Sequence, residues 1–284
     1  MSTGPVRAAV LGSPIAHSLS PVLHRAAYRG MGLDWSYAAV ECAERELPGF
    51  LGGLDASWAG LSLTMPLKRA AIPLLDSVSD LARAVGGVNT VLPRDGGLHG
   101  DNTDVHGIVA ALREAGVASP GSAVVLGGGA TACSSLAALR RLGVGEAVVL
   151  VRDRSRAALV EEAAERLGSR IAIRPLSSAG DAAARAELVI STLPAGAADG
   201  FADALRCEAL FDVVYAPWPT RCARAVAAYG GTVVGGLAML LHQAAAQVEL
   251  MTGRTDAPVD QMRQALTAHG WEAPRPALSD GVTG

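Results

Sequence analysis

Strand-length apolar runs alternate with amphipathic stretches along most of this chain. Arg7 to Leu11, Trp35 to Val40 and Trp58 to Leu63 read as strands. Between them, Ser20 as N-cap and Pro21 in the first turn signal a helix to about Arg29, and Glu44 to Leu54 carries a second helical pattern. Such alternation predicts a mostly parallel sheet, in which ligands sit beyond the carboxyl ends of the strands. Asp80 to Ala84 belongs to a short helix, Val85 to Leu92 turns back into a strand, and Asp95-Gly96-Gly97 reads as a hairpin turn. The polar cluster Gly100-Asp101-Asn102-Thr103-Asp104 precedes an apolar helix, Val105 to Ala115, which Asp104 is placed to cap.

Gly116 to Ser122 interrupts the pattern, and a second alternation follows. Ala123 to Leu126 is a buried strand that breaks into Gly127-Gly128-Gly129-Ala130-Thr131-Ala132, with a small-residue helix from Cys133 to Arg141. The spacing Gly127-x-Gly129-x-x-Ala132 fits a dinucleotide-binding turn. Gly127 turns the chain out of the strand, Gly129 lets backbone approach a pyrophosphate, and Ala132 lets the helix lie close on the strand. The helix N-terminus then offers unpaired N–H groups to the phosphates. Further strands are predicted at Ala147–Val151, Leu188–Thr192, Leu210–Val214 and Val233–Gly236. The stretch from Leu237 to about Met251 reads as a long helix returning to the first unit, and Asp280 to Gly284 as a loose tail.

Composition narrows the class. A chain of 284 residues suggests about two domains, and a 50% hydrophobic content with 18% charged residues supports a sizeable core. Aromatics are only 4%, so Ala, Val and Leu must fill that core. A net charge of −3 gives no reason to expect a nucleic-acid partner. The four cysteines form no C-x-x-C pair and the six histidines no H-x-H or H-E-x-x-H spacing, so no metal site and no disulfide framework is expected. No apolar run reaches the ~20 residues of a membrane span. Leu237 to Met251 comes nearest, interrupted by His242, Gln243, Gln247 and Glu249. The expectation is a cytoplasmic protein with no membrane or nucleic-acid partner.

Several residues at predicted strand ends carry candidate chemistry. A lysine and an aspartate facing each other in a cleft form an acid/base pair, and Lys68 and Asp104 suit that role. Spacing alone leaves the plainer account, a surface ion and a helix cap, standing. Ser18, Ser20, Thr64, Asn89, Tyr215 and Gln243 are neutral hydrogen-bonding residues that suit a polyhydroxylated ligand with one carboxylate. Arg152, Arg154 and Arg156 follow the second strand of the nucleotide-binding unit, where arginine accommodates a 2′-phosphate. Asp153 among them mixes the signal. His17 and His24 flank the serine loop as structural residues, and His242 beside Gln243 is placed to line the cleft.

Four motifs then carry a family likeness. Gly12-Ser13-Pro14-Ile15-Ala16-His17-Ser18-Leu19-Ser20-Pro21, Ser62-Leu63-Thr64-Met65-Pro66-Leu67-Lys68, Val88-Asn89-Thr90 and Gly100-Asp101-Asn102-Thr103-Asp104 resemble shikimate dehydrogenase. Tyr215 and the run Gly236 to Ala244 extend the match. The resemblance implies reversible reduction of 3-dehydroshikimate to shikimate with NADPH, in aromatic amino acid biosynthesis. It implies an α/β substrate domain with a mostly parallel sheet, residues 1–104 and 237–284, and a Rossmann-type doubly wound NADP-binding domain, residues 105–236. Carried over, Lys68 and Asp104 are the catalytic pair. Ser18, Ser20, Thr64, Lys68, Asn89, Asp104, Tyr215 and Gln243 contact substrate. Asp80, Gly127, Gly128, Gly129, Ala130, Thr131, Arg152, Arg154, Thr192, Val213 and Gly236 contact the cofactor. The chain departs from the family at its Gly-Gly-Gly-Ala-Thr turn and at Val151-Arg152-Asp153-Arg154, where an Asn-Arg-Thr/Ser is usual. An NAD-linked quinate/shikimate or aminoshikimate dehydrogenase is the nearest rival, and a non-catalytic sensor of shikimate-type ligands a rival of another class. The partner expected is a small-molecule substrate, with the protein a monomer or homodimer.

Overall fold

The computed structural model describes residues 6–269; the tail expected at Asp280 to Gly284 lies outside the described residues. Two six-stranded sheets carry the chain. The first contains β1 (Val6–Gly12), β2 (Trp35–Glu41), β3 (Trp58–Leu63), β4 (Ser77–Val78), β5 (Thr90–Arg94) and β6 (Gly97–Asp101). Its helices are α1 (Ser20–Gly30), α2 (Leu47–Gly52), α3 (Leu67–Ala70), α4 (Asp80–Val85) and α5 (Asp104–Glu114). Its strand order is β2-β1-β3-β5-β6-β4. The β1–β2, β1–β3 and β4–β6 pairings are parallel, whereas β5 runs antiparallel to both β3 and β6. The expected hairpin at Asp95-Gly96 joins β5 to β6, with both turn residues at positive φ.

The second sheet follows with β7 (Ala123–Leu126), α6 (Ala130–Arg141), β8 (Glu146–Val151), α7 (Ala158–Leu167) and β9 (Arg170–Pro175). Then come α8 (Ala179–Ala183), β10 (Leu188–Ser191), β11 (Ala209–Asp212), α9 (Arg221–Ala228) and β12 (Thr232–Gly235). The order β12-β11-β10-β7-β8-β9 is parallel throughout. Numbered within this sheet, that is the 3-2-1-4-5-6 order of a dinucleotide-binding fold, read from the far edge. Two last helices, α10 (Gly236–Thr252) and α11 (Val259–Ala268), pack back on α1 and on β3 and β5.

Side-chain alternation shows why each sheet is covered on both faces. Ala8 and Val10 of β1 join a core with Leu23, Tyr28, Leu237, Leu241 and Val248, while Ala9 and Leu11 join Leu47, Leu61 and Val91 on the other side. In β7, Ala123 and Val125 pack with α5 and α6, and Val124 and Leu126 with residues of α8 and α9. Ala132 is fully buried, as the close helix–strand packing requires.

Three local expectations are corrected. Ser20 is not the N-cap of α1: Leu19 holds that position, Ser20 begins the helix, and Pro21 lies in its first turn. The Glu44–Leu54 pattern yields only Leu47–Gly52, because Pro48 in the first turn starts the helix there. The edge strands β4 and β9 are additions to the pattern.

Leu241 is fully buried in the core that α10 shares with β1 and α1. Leu241→Ala is expected to destabilise the protein by about 2–5 kcal/mol in urea unfolding. A loss below about 1 kcal/mol would remove α10 from that core.

Candidate active site

The strand register brings distant polar residues to one edge. Leu11 lies beside Leu63, Ser62 opposite Thr90, and Thr90 opposite Asp101. The loop after β1, the turn after β3, the start of β5 and the segment after β6 therefore meet. That edge holds Ser18, Ser20, Thr64, Lys68, Asn89 and Asp104. The Thr64 N–H donates to the Leu11 carbonyl at 2.9 Å, joining the ends of β3 and β1. The Ser20 N–H donates to Ser18 Oγ at 3.3 Å, which fixes the two serines relative to each other.

Lys68 Nζ donates to Asp104 Oδ2 at 2.6 Å. The lysine side chain is 18% exposed and the carboxylate 5%. Asn89 Nδ2 donates to the other carboxylate oxygen, Oδ1, at 2.9 Å and to Thr103 Oγ1 at 3.0 Å. Asn89 Oδ1 accepts the Thr103 N–H at 2.8 Å. Asp104 is thus not the helix cap it was read as. Asn102 Oδ1 takes that work, accepting the N–H groups of Asp104 and Val105 at 3.0 and 3.4 Å. The Asp104 carboxylate is left for Lys68 and Asn89.

Gln243 reaches this cluster from α10. Its Oε1 stands 3.3 Å from Asn89 Nδ2 and 3.5 Å from Thr103 Oγ1. The approach depends on Gly107, one turn after Asp104, where a Cβ would lie 2.8 Å from the Met239 carbonyl and 2.9 Å from Gln243 Cβ. Gln247, one turn further along α10, is a component that sequence reasoning missed. Its Nε2 donates to the Asn89 carbonyl at 2.9 Å, and its Oε1 accepts from Ser62 Oγ at 2.8 Å. Ser62 in turn accepts from the Tyr37 hydroxyl at 2.6 Å. The signal was present: two glutamines four apart on an otherwise apolar helix share one face. Tyr215 comes from the loop after β11 and packs half-buried against the same apolar cluster as Leu19, beside the serine loop.

The glycine turn lies at the end of β7. Gly127 has φ +113°, a conformation that L side chains rarely adopt, and a Cβ there would meet Thr192 Oγ1. Thr192 Oγ1 donates to the Leu126 carbonyl at 2.8 Å, so this residue braces the turn. Gly129 is the N-cap of α6 with no side-chain cap. Nothing lies within 4 Å of where its Cβ would be. Open space at an uncapped helix N-terminus fits a pyrophosphate. Gly128, Ala130 and Thr131 continue the turn, half-buried or exposed. Val213 and Gly236 meet just past the carboxyl ends of β11 and β12, and the Gly236 N–H donates to the Val214 carbonyl at 3.2 Å.

Arg152 is exposed at the exit of β8, and no hydrogen bond or ion pair holds it among the described residues. Arg154 differs: it pairs with Glu161 of α7 at 2.5 Å. The side chain of Arg156 lies outside what the structure describes. Asp80 is exposed in the first turn of α4, and no contact ties it to the glycine turn. His242 does not line the cleft as expected. It pairs with Glu114 of α5 at 2.7 Å, next to Arg263.

A doubly wound nucleotide-binding sheet set beside a polar edge with a lysine–aspartate pair defines a dinucleotide-dependent dehydrogenase. Comparisons with known proteins narrow this. A family model for the shikimate dehydrogenase substrate binding domain matches residues 10–91, and one for the shikimate 5′-dehydrogenase C-terminal domain matches residues 236–267. The chain is 39% identical to a shikimate dehydrogenase (NADP(+)) from Thermus thermophilus, over 93% of this chain and 99% of that one. It resembles the crystal structure of Mycobacterium tuberculosis shikimate dehydrogenase with a TM-score of 0.86 and 44% identity, covering 93% of this chain and 100% of that one. A Thermus thermophilus shikimate 5-dehydrogenase in complex with NADP(H) and shikimate matches with a TM-score of 0.81 and 37% identity, covering 93% of this chain and 99% of that one. The chain belongs to the shikimate dehydrogenase family.

His24 supports the serine loop from below. It is fully buried, stacks on Tyr37 with ring centroids 3.9 Å apart, and donates from Nδ1 to the Ser20 carbonyl at 2.9 Å. Its Nε2 has no partner. Burial pushes its pKa from 6.5 to about 4. The unfolded chain takes up this proton near 6.5 and the folded chain only near 4, so stability falls as pH drops through that window. His24→Leu should remove up to about 3 kcal/mol of the difference in urea stability between pH 7 and pH 4. An unchanged difference would show that the ring titrates normally in the fold.

Proposed function

We propose that this chain catalyses the NADPH-dependent, reversible reduction of 3-dehydroshikimate to shikimate, a step toward chorismate and the aromatic amino acids. The observation that carries the proposal is the 2.6 Å contact between Lys68 and Asp104 at the edge of the substrate-side sheet. Membership of the family, whose relative from Thermus thermophilus bears the NADP(+) name, supports the reaction and the cofactor.

The residues divide the work. Bound NADPH supplies the hydride. Lys68 holds a proton on Nζ at the place where the substrate's carbonyl oxygen gains negative charge, and gives it to that oxygen. Asp104 keeps the ammonium in place. Asn89 holds Asp104, and Gln247 holds the Asn89 backbone. Ser18 and Ser20 offer hydroxyls for the substrate carboxylate. Thr64, Asn89, Tyr215 and Gln243 fix the ring hydroxyls, so that one ring face is presented for reaction. On the other lobe, residues 127–131 cradle the pyrophosphate, Thr192, Val213 and Gly236 flank the nicotinamide end, and Asp80 approaches from the substrate side. Arg152 reads the 2′-phosphate. Arg154 is a weaker candidate, because Glu161 already occupies its guanidinium. Every group in this scheme comes from one polypeptide, so monomer and homodimer are equally competent. A cytoplasmic setting, where NADPH is supplied, suits the chemistry. Among the described residues no helix is long and apolar enough to cross a membrane.

Lys68→Ala is expected to lower kcat by roughly 10²–10⁴-fold with a smaller change in KM, followed by nicotinamide absorbance. Near-normal kcat would remove Lys68 from the proton transfer. Arg152→Ala should raise KM for NADPH roughly ten- to hundredfold and leave KM for NADH nearly unchanged. Equal effects on both cofactors would clear Arg152 of reading the phosphate. Running shikimate and quinate with NADP⁺ and NAD⁺ separates the proposal from a quinate-linked enzyme, and absence of turnover with all four pairs would favour a sensor.

A further inference from the structure

A second concave site lies between the two lobes, and neither Lys68 nor Asp104 lines it. Its volume is about 350 Å³. That is near the small end of ligand pockets, which run roughly 300–1,000 Å³. One wall belongs to the substrate side: Arg69 of α3, Ile72 and Pro73 beyond it, and Arg83, Val85 and Gly86 at the end of α4. The facing wall is Ala130 and Cys133 of α6 with Leu159, Glu162 and Arg166 of α7. Of the residues assigned to the cofactor, only Ala130 lines it.

Its charge is unbalanced. Three guanidiniums face one carboxylate, and that carboxylate makes only a 3.6 Å contact with Arg166 Nη1. Arg166 spends its Nε on the Ala84 carbonyl at 3.0 Å, at the last turn of α4, and so ties α7 to the opposite lobe. Arg83 makes one long bond, Nη2 to the Val78 carbonyl at 3.4 Å. No hydrogen bond or ion pair holds Arg69 among the described residues. Each guanidinium carries five N–H donors in a fixed fork, so most of the donors here have no protein acceptor. Cys133 lines the same pocket. Burial pushes its thiol up to about 11, while the charges of Arg69 and Arg166, from opposite walls, pull it the other way. Ile72, Pro73, Val85 and Leu159 supply apolar surface between the charged groups.

We propose that this interlobe pocket binds a small organic dianion with an apolar or ring body, held by Arg69 and Arg83 from one lobe and Arg166 from the other. Both phosphate monoesters and dicarboxylates have that chemistry, and planar guanidinium forks accept either. The exposed arginines make the site salt-sensitive and of modest affinity. Because the ligand spans the lobes and touches α6 beside the glycine turn, its binding couples to the angle at which the cofactor side meets the substrate side.

The test is calorimetric titration of the full chain with phenyl phosphate and with terephthalate, with and without saturating NADP⁺, and with inorganic phosphate and phenol as controls. Saturable binding of at least one organic dianion that persists with NADP⁺ present is expected, weakened at least tenfold in the double variant Arg69→Gln/Arg83→Gln. The arm that binds more tightly identifies the anion type. Arg113→Gln/Arg185→Gln, at two exposed positions that do not line the pocket, should bind as the parent does and controls for the loss of two charges. Binding abolished by NADP⁺, or equal in the double variant and the parent, would place the anion in the cofactor cradle and overturn the proposal. So would no saturation by either dianion, or equal binding of inorganic phosphate and phenyl phosphate. None of these readouts needs turnover, so they stand or fall apart from the proposed reaction.

Discussion

The Asp104 carboxylate is the constraint around which the substrate-side edge is built. A carboxylate that is only 5% exposed has lost nearly all its water and needs protein donors on both oxygens. Lys68 supplies one and Asn89 the other. The dipole of α5 points its positive end at the same place, which also favours negative charge there. Such a pair is costly to break from one side only, because the surviving charge stays buried. The same arrangement answers a chemical need. An ammonium held against a fixed carboxylate cannot swing away from the oxygen it is to protonate, so the geometry that satisfies burial also orients the proton.

The network behind the pair extends this logic inward. Asn89 could hold Asp104 only if its own backbone were fixed, and Gln247 fixes it through the Asn89 carbonyl. Gln247 is itself 1% exposed and is satisfied by Ser62, which is satisfied by Tyr37. The chain of donors ends on a tyrosine whose ring stacks on His24, and His24 returns to the Ser20 carbonyl. The acid/base edge and the serine loop are therefore joined beneath the surface as well as at it. Each polar group in this line has a partner, apart from His24 Nε2, whose isolation is tolerable because the ring stays neutral.

How much of this was legible in the sequence depended on range. The nucleotide-binding half was readable because its signals are local: Gly127, Gly129 and Ala132 sit at fixed offsets between an apolar strand and a helix. Lys68 and Asp104 were visible as residue types at strand ends, but their contact was not. It rests on β5 running antiparallel between β3 and β6, and the overall strand–helix alternation pointed to parallel pairing. β9 escaped because it is an exposed edge strand with Arg170, Arg174 and Pro175 in six residues, a composition that reads as loop. Gln247 looked like an interruption of an apolar helix until its partners on β3 and β5 were known. His242 was misjudged for the opposite reason: adjacency to Gln243 in sequence puts it about 100° away around the helix, facing α5 and α11 instead of the cleft.

Two helices belong to both lobes, and this bears on where the chain divides. Val105, Ile108, Val109 and Leu112 of α5 pack in the core that contains α6 and β7, although Asp104 at the head of the same helix faces the substrate side. In α10, Ala238 and Met239 join that nucleotide-side core, while Leu237 and Leu241 join the core of β1 and α1. Gly107 lets the two helices touch at their crossing. A boundary drawn near 104 or 236 falls at the heads of these two shared helices. Among the described residues the chain passes between the two sheets through α5 and through α10, so any change of angle between the lobes has to be absorbed at these two helices and the segments that flank them. Asp104 begins α5, Gly236 begins α10 and Gln243 lies within it, so groups proposed to touch substrate and cofactor ride on the same two helices that set the lobe angle.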